Sequence, residues 1–343
     1  MRRMFTYMMC EVLAAAAVGG PGYGAQPTVG QMRAIVVTGN GGPEVLQLQK
    51  VAVPEPGAGE LRIRIHAASV NPIDWKLRER GAGAPGRISG FDAAGVIDKL
   101  GAGVTGWKVG DAVIGALSHS AQGSYADYGV VSQFDVAVKP AKLSFEEAAG
   151  IPVAGIAAWR TLVDKGQVAK GQRVLIQGGA GGVGSIAVQI AKARGAYVYA
   201  TASAANFEYL KSLGVDQPID YKSTQFEDVV KDADVVLDTI GGGTLQRSAK
   251  VVRKGGILLG IAGRLPDGQC ESLGIRCAYE GPPPPGAPVD KFGSTLTELS
   301  KLADAGKLRI TVAKTFPLEQ AAQAQELNKQ GHTRGKIVLK IAE

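Results

Sequence analysis

Between Gly178 and Gly195 the chain reads GGAGGVGSIAVQIAKARG, directly after the apolar run Val174, Leu175, Ile176. Gly179, Gly181 and Gly184 satisfy G-x-G-x-x-G, while Val183, Ile186, Ala187, Ile190 and Ala191 recur at helical spacing. The pattern predicts a strand, a glycine turn and a helix in that order. Glycines in such a turn let backbone N–H groups approach a pyrophosphate, and the new helix N-terminus aims partial positive charge at it. A dinucleotide site is the first chemistry these residues offer; a glycine-rich turn without a ligand is the blander alternative.

In NAD-specific folds an acid about 20 residues beyond the glycines grips the ribose 2′-hydroxyl. Here that place holds Ala200, Thr201, Ala202 and Ser203, with no carboxylate. A carboxylate would repel a 2′-phosphate, so its absence favours NADP(H). Ser203 can donate a hydrogen bond, and Tyr221 and Lys222 follow the next short strand as phosphate contacts, unless all three are ordinary turn residues. Metal chemistry is poorly supported. Cys10, Cys270 and Cys277 form no C-x-x-C pair, and His66, His119 and His332 lie far apart. Cys270 and Cys277 are expected to stay reduced unless the compartment is oxidising.

The elements that must position this chemistry fall into two styles. From Met32 to about Pro152 the segments are short, glycine-punctuated and strand-like, with Leu61 to His66 alternating strictly. His66 falls on the polar phase and is expected at the surface. From Val153 the period changes to alternating strands and helices, which implies a parallel sheet covered on both faces. After the proline-rich stretch Gly281 to Pro288, two helices (Thr295 to Ala305, Leu318 to Lys329) lead through Arg334, Gly335 and Lys336 into a last strand, Ile337 to Ile341.

The 343 residues, 45% hydrophobic and 20% charged, suffice for two ordinary domains. The net charge of +7 is dispersed among acids, with no basic stripe or aromatic-basic platform, so no nucleic-acid partner is expected. Residues 1–31 stand apart. Arg2 and Arg3 precede a mostly apolar run from Met4 to Val18 and then small residues, the layout of a signal peptide of twin-arginine type. Glu11 interrupts that run and Met32 opens a natural first strand, so a misassigned start is the equal alternative. The first reading implies export to the periplasm, the second a cytoplasmic protein. No later segment has the roughly 18 apolar residues of a membrane span.

Taken in order, SVNPIDWKLR (Ser69 to Arg78), GFDAAGV (Gly90 to Val96), GAGVTGWKVGDAV (Gly101 to Val113), GSYADY (Gly123 to Tyr128), AAGIPVAGIAAWRTL (Ala148 to Leu162), VLIQGGAGGVGS (Val174 to Ser185), ATAS with a later IDY, and HTRGKIVLKI (His332 to Ile341) resemble one family. It is the zinc-independent quinone oxidoreductase branch of the medium-chain dehydrogenase/reductase superfamily. The resemblance covers Met32 to the C-terminus. It implies an α/β protein in which a GroES-like β-rich domain (32–152 and 290–343) is interrupted by a Rossmann-type doubly wound parallel-sheet domain (153–289), with the active site between them.

It further implies NADPH-dependent reduction of quinones or α,β-unsaturated carbonyls, and a homodimer. Carried over by position, Gly179, Ala180, Gly181, Gly182, Val183 and Gly184 line the pyrophosphate. Ser203 and Tyr221 hold the 2′-phosphate, although Asn206 stands where relatives place a Lys. His332, Arg334 and Lys336 belong to the tail segment that closes on the cofactor. Zinc-dependent members place a Cys at the position of Asn71 and Gly-His-Glu at Gly90-Phe91-Asp92, so no catalytic metal is expected. Charge on the substrate oxygen must then be met by donors in a dry cleft. Asn71 and Lys76 are the candidate donors; Tyr125 faces either the substrate or the core. Asp74 is expected to brace the Asn71 turn. An alcohol dehydrogenase, an acyl enoyl reductase or a cofactor-bound interaction protein with little turnover are the competing readings.

Overall fold

The strand-like runs of the first third become β1 (Gln31–Val37), β2 (Leu46–Ala52), β3 (Glu60–Val70), β4 (Asp92–Leu100), β5 (Ala112–Ala116), β6 (Tyr128–Ser132) and β7 (Val136–Val138). The computed structural model describes residues 30–80, 85–117, 123–281 and 291–342. The leader-like stretch before Gly30, Cys10, His119 and most of the proline-rich segment lie outside the described residues. Strand β3 is the hub, antiparallel to both β4 and β6. Its alternation decides its faces: Leu61, Ile63 and Ile65 are fully buried, while Arg62 between them reaches Asp98 on β4 at 2.9 Å. His66 is half-buried rather than exposed. The helix that opens at Phe145 packs on β3 and stacks the Phe145 ring on the imidazole with ring centroids 4.3 Å apart.

Between β3 and β4 the motif SVNPIDWKLR forms helix α1 (Pro72–Glu79). Pro72 presets the first helical φ, and the Asp74 carboxylate reaches back to accept from Asn71 N at 2.8 Å, as in a capping box. Helices α2 (Phe145–Ala149) and α3 (Pro152–Trp159) then lead out of the first sheet.

The parallel sheet follows as β8 (Arg173–Gln177), β9 (Tyr197–Ala202), β10 (Gln217–Asp220), β11 (Ala233–Asp238), β12 (Val252–Gly260) and β13 (Arg276–Tyr279). Its order is β10-β9-β8-β11-β12-β13, with every pair parallel. The intervening helices are α4 (Gly182–Ala193), α5 (Phe207–Ser212), α6 (Phe226–Val229), α7 (Gly242–Ala249) and α8 (Gln269–Ser272). This is the dinucleotide-binding order, which reverses direction between β8 and β11 and opens a crevice at their carboxyl ends. Contrary to the expectation of reduced thiols, Cys270 and Cys277 are bonded. The short turn from α8 to β13 returns the chain and brings their Cα atoms to 6.1 Å, within disulfide reach.

Helix α9 (Gly293–Asp304), β14 (Val312–Pro317), α10 (Ala321–Gln330) and β15 (Lys336–Lys340) complete the chain. Strand β15 runs parallel to β14 and antiparallel to β3, so the tail rejoins the first sheet. One apolar cluster runs from Ala67 and Ile114 through Ile151 and Leu299 to Ile176 and Leu259, tying the two sheets together. Among the described residues no helix is long and apolar enough to cross a membrane.

Candidate active site

The glycine turn sits at the carboxyl end of β8, where the sheet order reverses. Gly178 adopts φ +72°, and a Cβ on Gly184 would lie 2.1 Å from the Gly178 carbonyl oxygen, so the turn closes only with glycine there. Gly181 caps α4 in extended conformation. The first-turn N–H groups of a helix have no intrahelical acceptors, and here they open onto the crevice beside half-exposed Gly181, Gly182 and Val183. A Cβ on Gly181 would meet only the Gly178 oxygen at 3.4 Å. That open backbone fits the pyrophosphate of a dinucleotide.

Beneath the turn lies a buried polar belt that local spacing does not reveal. Thr201 donates to Gln177 Oε1 at 2.7 Å and accepts from Gly178 N at 3.0 Å. Gln177 Nε2 donates to Ser248 at 3.1 Å, and Ser248 donates to Asp238, which also accepts from Ile240 N and Gly241 N. Burial raises the Asp238 carboxyl pKa, and these donors pull it back. The signal available in the sequence is position: Gln177, Thr201 and Asp238 end, or neighbour the end of, a parallel strand, while Ser248 comes from helix α7.

At the β9 end, Ser203 accepts from Asn206 Nδ2 at 3.1 Å. Arg334 arrives from the tail and donates from Nε to Asn206 Oδ1 at 2.8 Å and from Nη2 to Ala205 O at 3.1 Å, with its guanidinium 5.3 Å from the centre of the Tyr209 ring. Tyr221 stands exposed after β10, its N–H bonded to Ala202 O. The structure thus gathers Ser203, Asn206, Tyr221 and Arg334 at one end of the crevice. His332 is exposed with φ +60° and contacts its own turn at Gln330 O.

At the other end, Asn71, Asp92 and Lys336 meet where β3, β4 and β15 run side by side. Lys336 Nζ donates to Asn71 Oδ1 at 2.5 Å and lies 3.7 Å from Asp92 Oδ2. Asn71 Nδ2 donates to Asp92 Oδ2 at 2.8 Å; Ser69 donates to the same oxygen, and Val153 N donates to Asp92 Oδ1 at 2.8 Å. The side chains of Ser69, Asn71, Asp92 and Lys336 are all buried. Burial lowers the Lys336 ammonium pKa, with Asp92 and Asp74 pulling it back. Sequence reasoning places Asp92 only inside a motif, although a carboxylate opening an apolar strand is a visible cue.

Asp74 accepts from Asn71 N at 2.8 Å and from the Tyr125 hydroxyl at 2.7 Å, as the bracing role requires. Burial pushes its carboxyl up to about 7. Burial, and then Asp74 itself, raise Tyr125. Tyr125 is fully buried, packed in the core of the first sheet. Lys76 is not brought into this cluster: α1 turns it outward, where its ammonium sits 5.4 Å from the Trp75 ring centre. Among the described residues no group of three His, Cys, Asp or Glu side chains could hold a metal ion.

Known proteins resemble this chain over most of its length. Residues 57–170 match the alcohol dehydrogenase GroES-like domain family, and residues 213–339 match the family described as zinc-binding dehydrogenase. The 2-methylene-furan-3-one reductase of Solanum lycopersicum is 35% identical, covering 90% of this chain and 79% of the relative. A chloroplastic NADPH-dependent alkenal/one oxidoreductase of Arabidopsis thaliana is 33% identical with the same coverage. The solved quinone oxidoreductase of Coxiella burnetii superposes with a TM-score of 0.80 at 32% identity, covering 91% of this chain and 99% of that one. With a glycine turn at the sheet reversal and a tail strand returning to the first sheet, the chain belongs to the quinone oxidoreductases of the medium-chain dehydrogenase/reductase superfamily and is a nicotinamide-dependent oxidoreductase.

Proposed function

We propose that this protein is an NADPH-dependent, zinc-independent reductase of small quinones or α,β-unsaturated carbonyls. The observation that carries the cofactor preference is Arg334 seated against Asn206, which in turn donates to Ser203, so that its charge lies toward the adenosine end of the crevice. Asn206 stands where relatives carry a Lys, and Arg334 restores a cation to that place. A guanidinium with a neighbouring hydroxyl and phenol suits a 2′-phosphate, which it engages by charge-assisted hydrogen bonds.

The cofactor, when bound, supplies a hydride. This chain's residues do the rest. The glycine turn and the α4 N-terminus take the pyrophosphate; Ser203, Tyr221 and Arg334 take the 2′-phosphate. The Asn71 cluster forms one wall of the nicotinamide end, where an amide N–H can meet negative charge gathering on a carbonyl oxygen. At the positions where zinc-dependent members of the superfamily hold Cys and Gly-His-Glu, this chain has Asn71 and Gly90-Phe91-Asp92, and Asp92 is engaged by Ser69, Asn71 and Val153. Those donors already satisfy the oxygens a metal would need, which supports the zinc-free reading.

The test is oxidation of NADPH against NADH by chelator-treated protein with a benzoquinone and a small enone. NADPH-preferring, chelator-insensitive turnover is expected. NADPH binding without turnover on either substrate would favour a binding protein instead, and turnover restored by zinc would overturn the metal-free reading.

A further inference from the structure

Lys336 occupies an unusual place for a lysine: its side chain is buried and spans the two halves of the site. Its stem passes beneath the glycine turn, where the position of a Cβ on Gly182 lies 3.0 Å from Lys336 Cδ, and the preceding Gly335 N donates to Ala180 O at 2.9 Å. Its head ends on Asn71 Oδ1. The groups facing that head are Asn71 and the Val70 carbonyl on the β3 side and Asp92 on β4, with Asp74 beyond Asn71.

A primary amide presents an acceptor on one side and donors on the other. Here Lys336, which can only donate while protonated, takes the oxygen of Asn71; Asp92, which accepts, takes the nitrogen. Turning the amide over would set N–H against ammonium and oxygen against carboxylate, unfavourable at both ends. Of the two N–H bonds on Nδ2, one is used by Asp92. Among the described residues the second meets only the Ser69 carbonyl, at 3.5 Å, too long for a good hydrogen bond. That second N–H is the donor left for a ligand, and its direction is set by what grips the oxygen.

Resting on the reductase reading above, we propose that Lys336 is a positioning residue, which fixes the orientation of the Asn71 amide and couples it to the glycine turn that receives the cofactor. Lysine at 336 acts through Asn71 rather than on the substrate. Because its stem abuts the turn, one side chain packs beneath the cofactor cradle and holds Asn71 at its head.

The experiment is a double-mutant cycle of Lys336→Met and Asn71→Ala in the full chain, with turnover, the kinetic isotope effect from 4-deuterated NADPH, NADPH affinity by fluorescence, and the side-chain amide resonances of Asn71. Lys336→Met is expected to lower kcat on the order of 10²-fold, the cost of losing one oriented donor. The isotope effect should rise and the NADPH Kd should stay within about threefold, since no phosphate contact is lost. In the Asn71→Ala background the same change should add less than about twofold, because coupled residues are not additive.

Multiplying losses in the double variant, or an unchanged kcat in the single one, would overturn the proposal. It also fails if Tm and affinity fall while kcat at saturating cofactor is intact, since that is a purely structural role. If wild-type protein binds NADPH but reduces no quinone or enone, the reductase reading fails separately. The amide resonances then decide: shifted or exchange-broadened Asn71 signals in the Lys336 variant support positioning, and unchanged signals refute it. Lys336→Gln replaces Lys336→Met if the latter does not fold.

Discussion

Arg334 lies 128 positions from Asn206 in the chain yet donates to its side-chain oxygen at 2.8 Å. The tail thereby brings a cation to a pocket that β9 and its following turn leave uncharged. Arg334→Ala is expected to raise the NADPH Kd about tenfold, the loss of one charge-assisted contact of about 1.5 kcal/mol. The NADH Kd should change less than about twofold. Paired fluorescence titrations with the two cofactors check this, and equal losses would move the 2′-phosphate elsewhere. Ser203→Asp should discriminate in the same direction by like-charge repulsion.

The glycine turn makes two different demands. At Gly184 a Cβ would fall 2.1 Å from a backbone oxygen, so Gly184→Ala should destabilise the folded protein by about 1–3 kcal/mol through overpacking. At Gly181 the nearest atom is 3.4 Å away, an ordinary contact. Gly181→Val is therefore expected to leave thermal stability nearly unchanged while abolishing NADPH binding. Melting curves and titrations on the two variants separate folding from recognition.

Asp74 gives the fold a pH dependence of definite sign. Its carboxyl, raised to about 7 by burial, holds a proton in the folded chain over a range where the unfolded chain has released it. Its contribution to stability is greatest below the ordinary carboxylate range and is lost as pH rises toward 7. Asp74→Asn imitates the protonated form and keeps an acceptor for Asn71 N and the Tyr125 hydroxyl. Urea midpoints should show wild type losing stability relative to the variant as pH rises from about 4 to about 7, and little more above that. Parallel profiles would place the carboxyl in its ordinary range.

The Cys270–Cys277 bond joins α8 to the edge strand β13 across a sequence separation of 7. A loop this short yields a modest constraint on the unfolded chain, about 2 kcal/mol. Reductant, or Cys270→Ser with Cys277→Ser, should lower Tm by several degrees. The NADPH Kd should not move, since the bond lies away from the turn. Calorimetry with and without reductant is the check.

Much of this architecture is legible in the sequence because strands and helices advertise their periods. The Leu61 to His66 alternation, the Val174 run and the Ser185 to Arg194 helix are all readable from local spacing, and all form. Helix α1 escapes such a reading, because Asn71, Pro72 and Asp74 resemble turn residues until the capping box is seen to join them. Pairings across the sheets are also hidden. No spacing rule connects Lys336 to Asn71, Arg334 to Asn206 or Phe145 to His66, and each is decided by which elements the fold lays side by side. The thiols depart from expectation for the same reason: the α8 turn, invisible in composition, brings them together. Lys76 and Asn71 share a helix start, but helical rotation parts them.

Strand β15 joins residues separated by most of the polypeptide, with Lys336 and Asn71 265 positions apart. During synthesis the parallel sheet and its glycine turn can assemble while this strand is still to be made, leaving the crevice roofless. The first sheet meanwhile lacks the partner of β3 that carries Lys336. Both halves of the site draw on this one strand, and contacts of such long range form slowly because much chain must be ordered first. A chain without this tail would lack Arg334 at one end of the crevice and Lys336 at the other, so a single segment completes both the cofactor cradle and the Asn71 cluster.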